Sequence, residues 1–204
     1  MLRGFATVVA VVLFFASVVL AQSRSDVSIN AFGSFVTQSS GQQVTLAPTT
    51  SAGFLATYRH ALKQRHAVEL NYAFSRNSQN YTVTDLSGNQ SSNSIRSSVH
   101  EASADYVFTP RKSARLSPFL LAGGGALIFS PVSNCINTAS GAATEAKGVF
   151  VYGGGADYRL LRNVALRLQY RGLLYQAPDF NIFGYSTGGW QHTAEPSAGV
   201  VYRF

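Results

Sequence analysis

Glu101 and Asp105 stand four residues apart, an even spacing that puts both carboxyls on one side of a strand, where an acid pair can hold a metal or pass a proton. Arg59, Arg159, Arg167, Arg171 and Arg203 recur at the matching parity of their own segments, with Glu69, Asp157 and Glu195. Nearby opposite charge keeps a carboxyl ionised, so this set predicts an ion-pair network rather than a poised proton donor. Ser98 and His100 lie two apart on the opposite parity, where a hydroxyl and an imidazole can make an acyl-transfer pair, but no carboxylate shares that parity to orient the ring. His192 has Ala194 at the corresponding place. The glycine triplets 123–125 and 153–155 lack phosphate-loop spacing and open no helix. Ala122, Gly124, Ala126, Gly153 and Gly155 are read instead as small residues that make room for Arg and Glu side chains sent in from neighbouring strands. Cys135 is the one cysteine, which excludes an internal disulfide and a Cys-based zinc site. The expectation is no catalytic residue, no metal ligand and no cofactor.

The elements that position these residues follow from composition and periodicity. The 204 residues include 16 Lys+Arg against 9 Asp+Glu, a net charge of +7, with only 12% charged residues and 18 Gly. Charged content is about half the roughly 25% usual in soluble domains, which argues against a charged helical bundle, a coiled coil or a disordered tail. No basic stripe with interleaved stacking aromatics occurs, so the positive charge does not predict a nucleic-acid partner. Residues 1–21 carry Arg3, an uncharged apolar run over 4–20 and Ala21, the pattern of a signal peptide cleaved after Ala21. Gln22 follows, not the Cys that lipoprotein processing acylates. Residues 22–204 are then one domain, and no later apolar run is long enough for a membrane helix.

Within that domain, period-two alternation predicts eight strands, near 26–37, 52–60, 66–76, 95–109, 116–130, 148–160, 164–175 and 191–204. The connections 61–65, 110–115 and 161–163 are short, and 38–51, 77–94, 131–147 and 176–190 are long and polar. Short turns at one end and long loops at the other fit a transmembrane barrel. Sorting by parity gives one face with no Asp, Glu, Lys or Arg, including Val68, Leu70, Tyr72, Phe74, Leu166, Leu168 and Tyr170. The other face, with Arg59 added, carries five Arg against the five carboxylates of Glu69, Glu101, Asp105, Asp157 and Glu195. Sealed charges must pair, and Arg, whose fork binds a carboxylate through two bonds, is the only cation used. The charged face is therefore assigned to the lumen, and the fold class is an all-β, eight-stranded, antiparallel, up-and-down transmembrane barrel.

The chain ends at Gly199-Val200-Val201-Tyr202-Arg203-Phe204, and segments such as 153–159 and 164–171 repeat the same residue pattern. These resemble the small eight-stranded outer-membrane barrels of Gram-negative bacteria, the OmpA-type and OmpX-type barrels. The resemblance implies outer-membrane localisation, outer-membrane lipid as surroundings, and Val200, Tyr202 and Phe204 as the signal read by the barrel assembly machinery. The periplasmic peptidoglycan-binding domain that OmpA-type proteins often add is not expected after the last strand. Pro196 departs from the pattern and predicts a bulge or the true start of pairing in the last strand. The basic short turns, with Lys63, Arg65, Arg111, Lys112, Arg115 and Arg162, are expected to face inner-leaflet phospholipid or simply to stay solvated. The leading functional reading is a non-enzymatic envelope or surface-adhesion protein acting through its long loops on a surface ligand. Tyr81, Phe180, Phe183, Tyr185 and Trp190 are either adhesive contacts or packing. The alternatives are a narrow conduit or small-ligand carrier, a lipid-modifying enzyme, and a soluble lipocalin-like barrel with the two faces exchanged.

Overall fold

Alternating strands present two chemically different faces, and only closure removes the unpaired edges of the sheet they form. The computed structural model describes residues 25–41, 43–85, 87–111, 113, 115–132, 143–182 and 186–204. The strands are β1 (Ser25–Val36), β2 (Ser39–Gly41), β3 (Val44–Pro48), β4 (Ser51–Lys63), β5 (His66–Thr84), β6 (Gln90–Phe108), β7 (Leu116–Pro131), β8 (Glu145–Arg159), β9 (Val164–Gln176) and β10 (Trp190–Arg203). β1 and β4 to β10 form a closed antiparallel barrel, in which β4 and β10 flank β1 and the β5–β6 pairing completes the ring. The expected leader 1–21, together with Lys112, Cys135, Phe183 and Tyr185, lies outside the described residues.

The faces separate as parity requires. Ile29, Leu120, Leu168 and Val200 point outward and are 70%, 59%, 67% and 51% exposed, whereas Arg167 and Arg171, the chain neighbours of outward Leu168 and Tyr170, are fully buried. Val27, Phe54, Leu70, Tyr72, Tyr106, Phe150, Tyr158, Tyr170 and Tyr202 continue the apolar exterior. A water-soluble barrel would place those side chains inside, so the exchanged-face lipocalin-like arrangement does not describe this molecule.

Strand β7 corrects the sequence reading. Its inward residues are Phe119, Leu121, Gly123, Gly125, Leu127 and Phe129, so Ala122, Gly124 and Ala126 point away from the lumen. The stretch has no charged residue, and its apolar side chains fall on both faces, so alternation gives no marker of which face is inner. The space-making glycines are real but displaced by one: a Cβ at Gly123 would lie 2.4 Å from Asp105 Oδ1, and one at Gly155 would lie 2.9 Å from Phe119 Cζ. Gly153 also faces a crowded neighbour, because a Cβ there would lie 3.1 Å from Arg171 Cα.

Two further boundaries differ. Most of the segment 77–94 is strand, not loop, because β5 and β6 run on as a continuous ladder from His66↔Phe108 to Thr84↔Gln90, and β3 pairs with the far end of β5 while β2 pairs with β3. Its Ser, Asn and Gln content resembles a loop, but Asn77, Gln79 and Tyr81 alternate inward and the β-branched Thr82 and Val83 favour an extended chain. Pro196 makes neither a bulge nor a strand start. Pairing with β1 is interrupted between Phe32↔Ser197 and Phe35↔Ala194 without a change of register, as expected where a ladder donor is missing.

Leu168 sits midway along β9 on the apolar exterior. Leu168→Arg is expected to lower the unfolding free energy in phospholipid vesicles by about 2–4 kcal/mol, measured by denaturant titration.

Candidate functional site

Strands β1, β4, β5, β8, β9 and β10 send charges into the short-turn half of the lumen. Arg167 on β9 donates through Nε to Asp157 Oδ1 at 2.8 Å and through Nη2 to Asp157 Oδ2 at 3.2 Å, a two-bond fork across the β8–β9 pair. Its other contacts are Ser28 Oγ at 3.3 Å, Asp26 Oδ1 at 3.4 Å and Glu69 Oε1 at 3.8 Å. Arg59 on β4 donates through Nε to Glu69 Oε2 at 2.7 Å and reaches Asp157 at 3.5 Å. Arg203 donates to Asp157 Oδ2 at 3.0 Å. Phe119 lies beneath two of these cations, its ring centre 4.3 Å from Arg59 Cζ and 5.2 Å from Arg167 Cζ. A ring face attracts guanidinium charge, so Phe119 helps hold both cations without adding another polar group to the lumen.

The second group is centred on Arg171. It pairs with both carboxylate oxygens of Glu101, lies 3.5 Å from Glu195 Oε2, and donates to Ser103 Oγ at 3.3 Å. Asp105 is nearby but makes no ion pair within 4 Å among the described residues; Asn71 Nδ2 donates to it at 2.8 Å.

The arrangement differs from the expected even balance. Arg159, at the end of β8, is exposed and forms no ion pair among the described residues, whereas Asp26, outside the set that sequence parity picks out, pairs with Arg167. A signal for Asp26 exists in the sequence, because Asp26, Ser28 and Asn30 alternate with outward Val27 and Ile29. The lower cluster therefore has Arg59, Arg167 and Arg203 against Asp26, Glu69 and Asp157. The upper has Arg171 alone among Glu101, Glu195 and Asp105. Below the lower cluster a mouth cavity of about 290 Å³ is lined by Lys63, Arg65, His66, Arg159 and Phe204 among others.

An apolar plug closes the long-loop end. Phe180 is fully buried and meets Tyr81 and Phe129 edge-on, each with ring centres 6.4 Å apart. Tyr81 Oη donates to Pro178 O at 2.6 Å, and the Glu145 carboxylate accepts the backbone N–H groups of Asp179 and Phe180 at 2.9 and 2.8 Å. Lys147 Nζ is 2.5 Å from Glu145. Tyr81 and Phe180, open as adhesive or packing residues from sequence, are packing residues here, whereas Trp190 is 66% exposed.

Above the plug, β5 and β6 project with β2 and β3 as one sheet. At its tip Asp85 accepts the backbone N–H groups of Asn89 and Ser87, each at 2.8 Å, and the Asn89 side chain at 3.1 Å. These bonds, the Asn89 backbone N–H foremost, hold the Asp85 carboxyl below the usual carboxylate range.

Three exterior histidines are engaged with phenols, and His60 is hydrogen-bonded through Nδ1 to Ser25 Oγ at 3.1 Å. His100 is hydrogen-bonded to Tyr72 Oη at 2.8 Å, His192 to Tyr152 Oη at 2.9 Å, and His66 to Tyr106 Oη. Tyr152 reaches His192 from two strands away because Gly172 lies between them; a Cβ there would be 2.5 Å from the Tyr152 ring. Ser98 and His100 share a face of β6, but the imidazole Nδ1 is occupied by Tyr72. Val200 and Tyr202 also point outward on β10, the strand paired with β1, and Phe204 just beyond its end is exposed as well.

A family model described as "Outer membrane protein beta-barrel domain" matches residues 6–204. No curated protein matches the chain. Among solved structures, Neisserial surface protein A (NspA) shares 12% identity, with a TM-score of 0.59 over 88% of this chain and 97% of the other. The attachment invasion locus protein Ail of Yersinia pestis, solved with the heparin analogue sucrose octasulfate, shares 18% identity, with a TM-score of 0.55 over 90% of this chain and 100% of the other.

Arg171 is the only cation within 4 Å of Glu101 and Glu195 among the described residues. Arg171→Met is expected to cost about 3–5 kcal/mol in a vesicle unfolding titration, because it leaves buried carboxylates unpaired. Adding Glu101→Gln is expected to restore part of that loss.

Proposed function

The chain belongs to the outer membrane protein β-barrel domain family, and on that premise we propose a non-enzymatic role in attachment or envelope integrity, carried by the surface that projects beyond the membrane. The observation that carries this reading is the continuation of β5 and β6 as a paired ladder to Thr84 and Gln90, braced by β2 and β3. A flexible loop loses entropy when it binds, whereas this sheet presents its polar outer residues already ordered. Ser39 Oγ, hydrogen-bonded to Thr187 Oγ1 at 3.1 Å, ties the sheet to the last long connection. The names of NspA and Ail, a surface protein and an attachment protein, are in keeping with this role.

Two features argue against the alternatives. A conduit would require Phe180 to leave its aromatic seat and Arg171 to part from Glu101. A lipid-modifying enzyme built on His100 or His192 would require an imidazole released from its tyrosine. For biogenesis, Val200, Tyr202 and Phe204 are the outward residues proposed to be read by the assembly machinery.

Expressing the chain in a non-adherent bacterium is expected to raise attachment to epithelial monolayers or resistance to detergent. A variant with 84–91 replaced by a two-residue turn should lose that gain while keeping heat-modifiable gel migration. No gain with the full chain, or an unchanged gain in the variant, contradicts the reading. Stepwise conductance of the purified protein in planar bilayers would favour the conduit.

A further inference from the structure

The outer face of β5 and β6 changes character abruptly at the long-loop end of the apolar band. Phe54, Tyr72, Phe74 and His100 form an aromatic cluster there, with ring centres 5.0 Å apart for Phe74 and His100 and 5.8 Å for Phe54 and Phe74. The next outward residue on β5 is Arg76, opposite Ser98, and two steps on, Arg96 of β6 lies opposite Ser78. Arg76 and Arg96 are thus diagonal neighbours on one face, within reach of a common partner. Both are exposed, and neither forms an ion pair among the described residues.

Every buried guanidinium among the described residues has a carboxylate, yet these two lie side by side without one. Like charges at neighbouring cross-strand positions repel, so an anion from outside the chain that met both would stabilise the pair. Arg76 Cζ lies 5.6 Å from the centre of the Phe74 ring, which holds its cation close above the aromatic cluster. Thr49 borders the other side, its N–H donating to Ser78 O at 2.9 Å and its Oγ1 accepting Ser78 N–H at 2.9 Å. Together with Asn77 and Val132 these residues bound a groove of about 370 Å³, the space of roughly a dozen waters.

The height of the groove selects its ligand. From His66 to Arg76 the outward face of β5 climbs about 33 Å of strand, or about 25 Å at the tilt of such barrels, which is the height of one apolar band. The pair therefore stands at the headgroup level of the outer leaflet. We propose that Arg76 and Arg96 form a binding site for the sugar phosphates of the outer-leaflet glycolipid, with the Thr49 and Ser78 hydroxyls beside it. The acyl chains of the same lipid would then lie against Phe74, Tyr72 and Phe54, so one molecule meets both the cations and the aromatic cluster.

The test titrates a fluorescent, bis-phosphorylated outer-leaflet glycolipid into nanodiscs holding the full chain. Arg76→Ala with Arg96→Ala is expected to weaken binding about thirtyfold, the effect of two basic residues at a lipid headgroup. Arg76→Lys with Arg96→Lys should retain most of the affinity. Removing the glycolipid's phosphates should weaken binding to the wild type by a similar factor and leave the double Ala variant nearly unchanged. Heat-modifiable migration checks that each variant is folded, and Arg115→Ala with Arg162→Ala at the opposite end should bind like the wild type. Equal affinity for the dephosphorylated lipid, or no loss in the double Ala variant, overturns the proposal. Binding of soluble heparin in preference to the glycolipid also overturns it and assigns the groove to sulfated glycans instead.

Discussion

A charge inside a closed eight-stranded barrel has neither bulk water nor lipid headgroups to turn to, so it must be matched by another side chain. Removing an ion from water costs several kcal/mol even after relaxation, and the cost is offset only where geometry is good and spare donors are also used. The Arg167–Asp157 fork meets that condition, and the surrounding structure follows from it. Asp157 receives Arg203 as well as Arg167, Arg59 links Asp157 to Glu69, and Phe119 lies under two of the cations. Glycines at 123 and 155 are required where Asp105 and Phe119 occupy the space a methyl would need. The lumen is thus ordered by charge in its lower part, by the Arg171 cluster above it, and by the apolar plug around Phe180 at the top.

The exterior obeys the complementary rule. A phenol or imidazole facing lipid leaves its polar tip unsatisfied unless it finds a partner within the protein. The Tyr72–His100, Tyr106–His66 and Tyr152–His192 pairs supply one another's hydrogen bonds, and Gly172 lets Tyr152 lie across β9 to reach its partner. These pairs combine apolar bodies with polar tips at the two ends of the band, the same division of chemistry that suits aromatic side chains to membrane interfaces.

Where charged and apolar residues alternate, the sequence identifies the face of nearly every position, as in 66–75, 100–108 and 164–171. Where alternation loses its contrast, the reading fails. β7 is apolar on both faces, so parity places its lumen-facing glycines one residue away from where they lie. The 77–94 segment is polar on both faces, so a rigid ladder resembles a loop. Arg159 has the parity of the lumen but sits at the rim, where a long side chain can turn to water, and depth along a strand is not encoded in parity. Asp26 escapes notice for the opposite reason: it lies at the very start of the first strand, yet it reaches Arg167. Arg76 and Arg96 are visible in the sequence, but their diagonal meeting depends on a register that extends through the apparent loop.

The ion-paired lumen and the aromatic exterior both require the charged face to enclose the lumen and the apolar face to meet lipid. The most direct measurement replaces Cys135 with Ser and places single cysteines in turn at Ala165, Leu166, Leu168 and Gln169, each carrying a fluorophore in vesicles of brominated phospholipid. Strong quenching at positions 166 and 168 and little at 165 and 169 is the expected result. Quenching with the opposite alternation, or at none of the four, would contradict the assignment of the two faces.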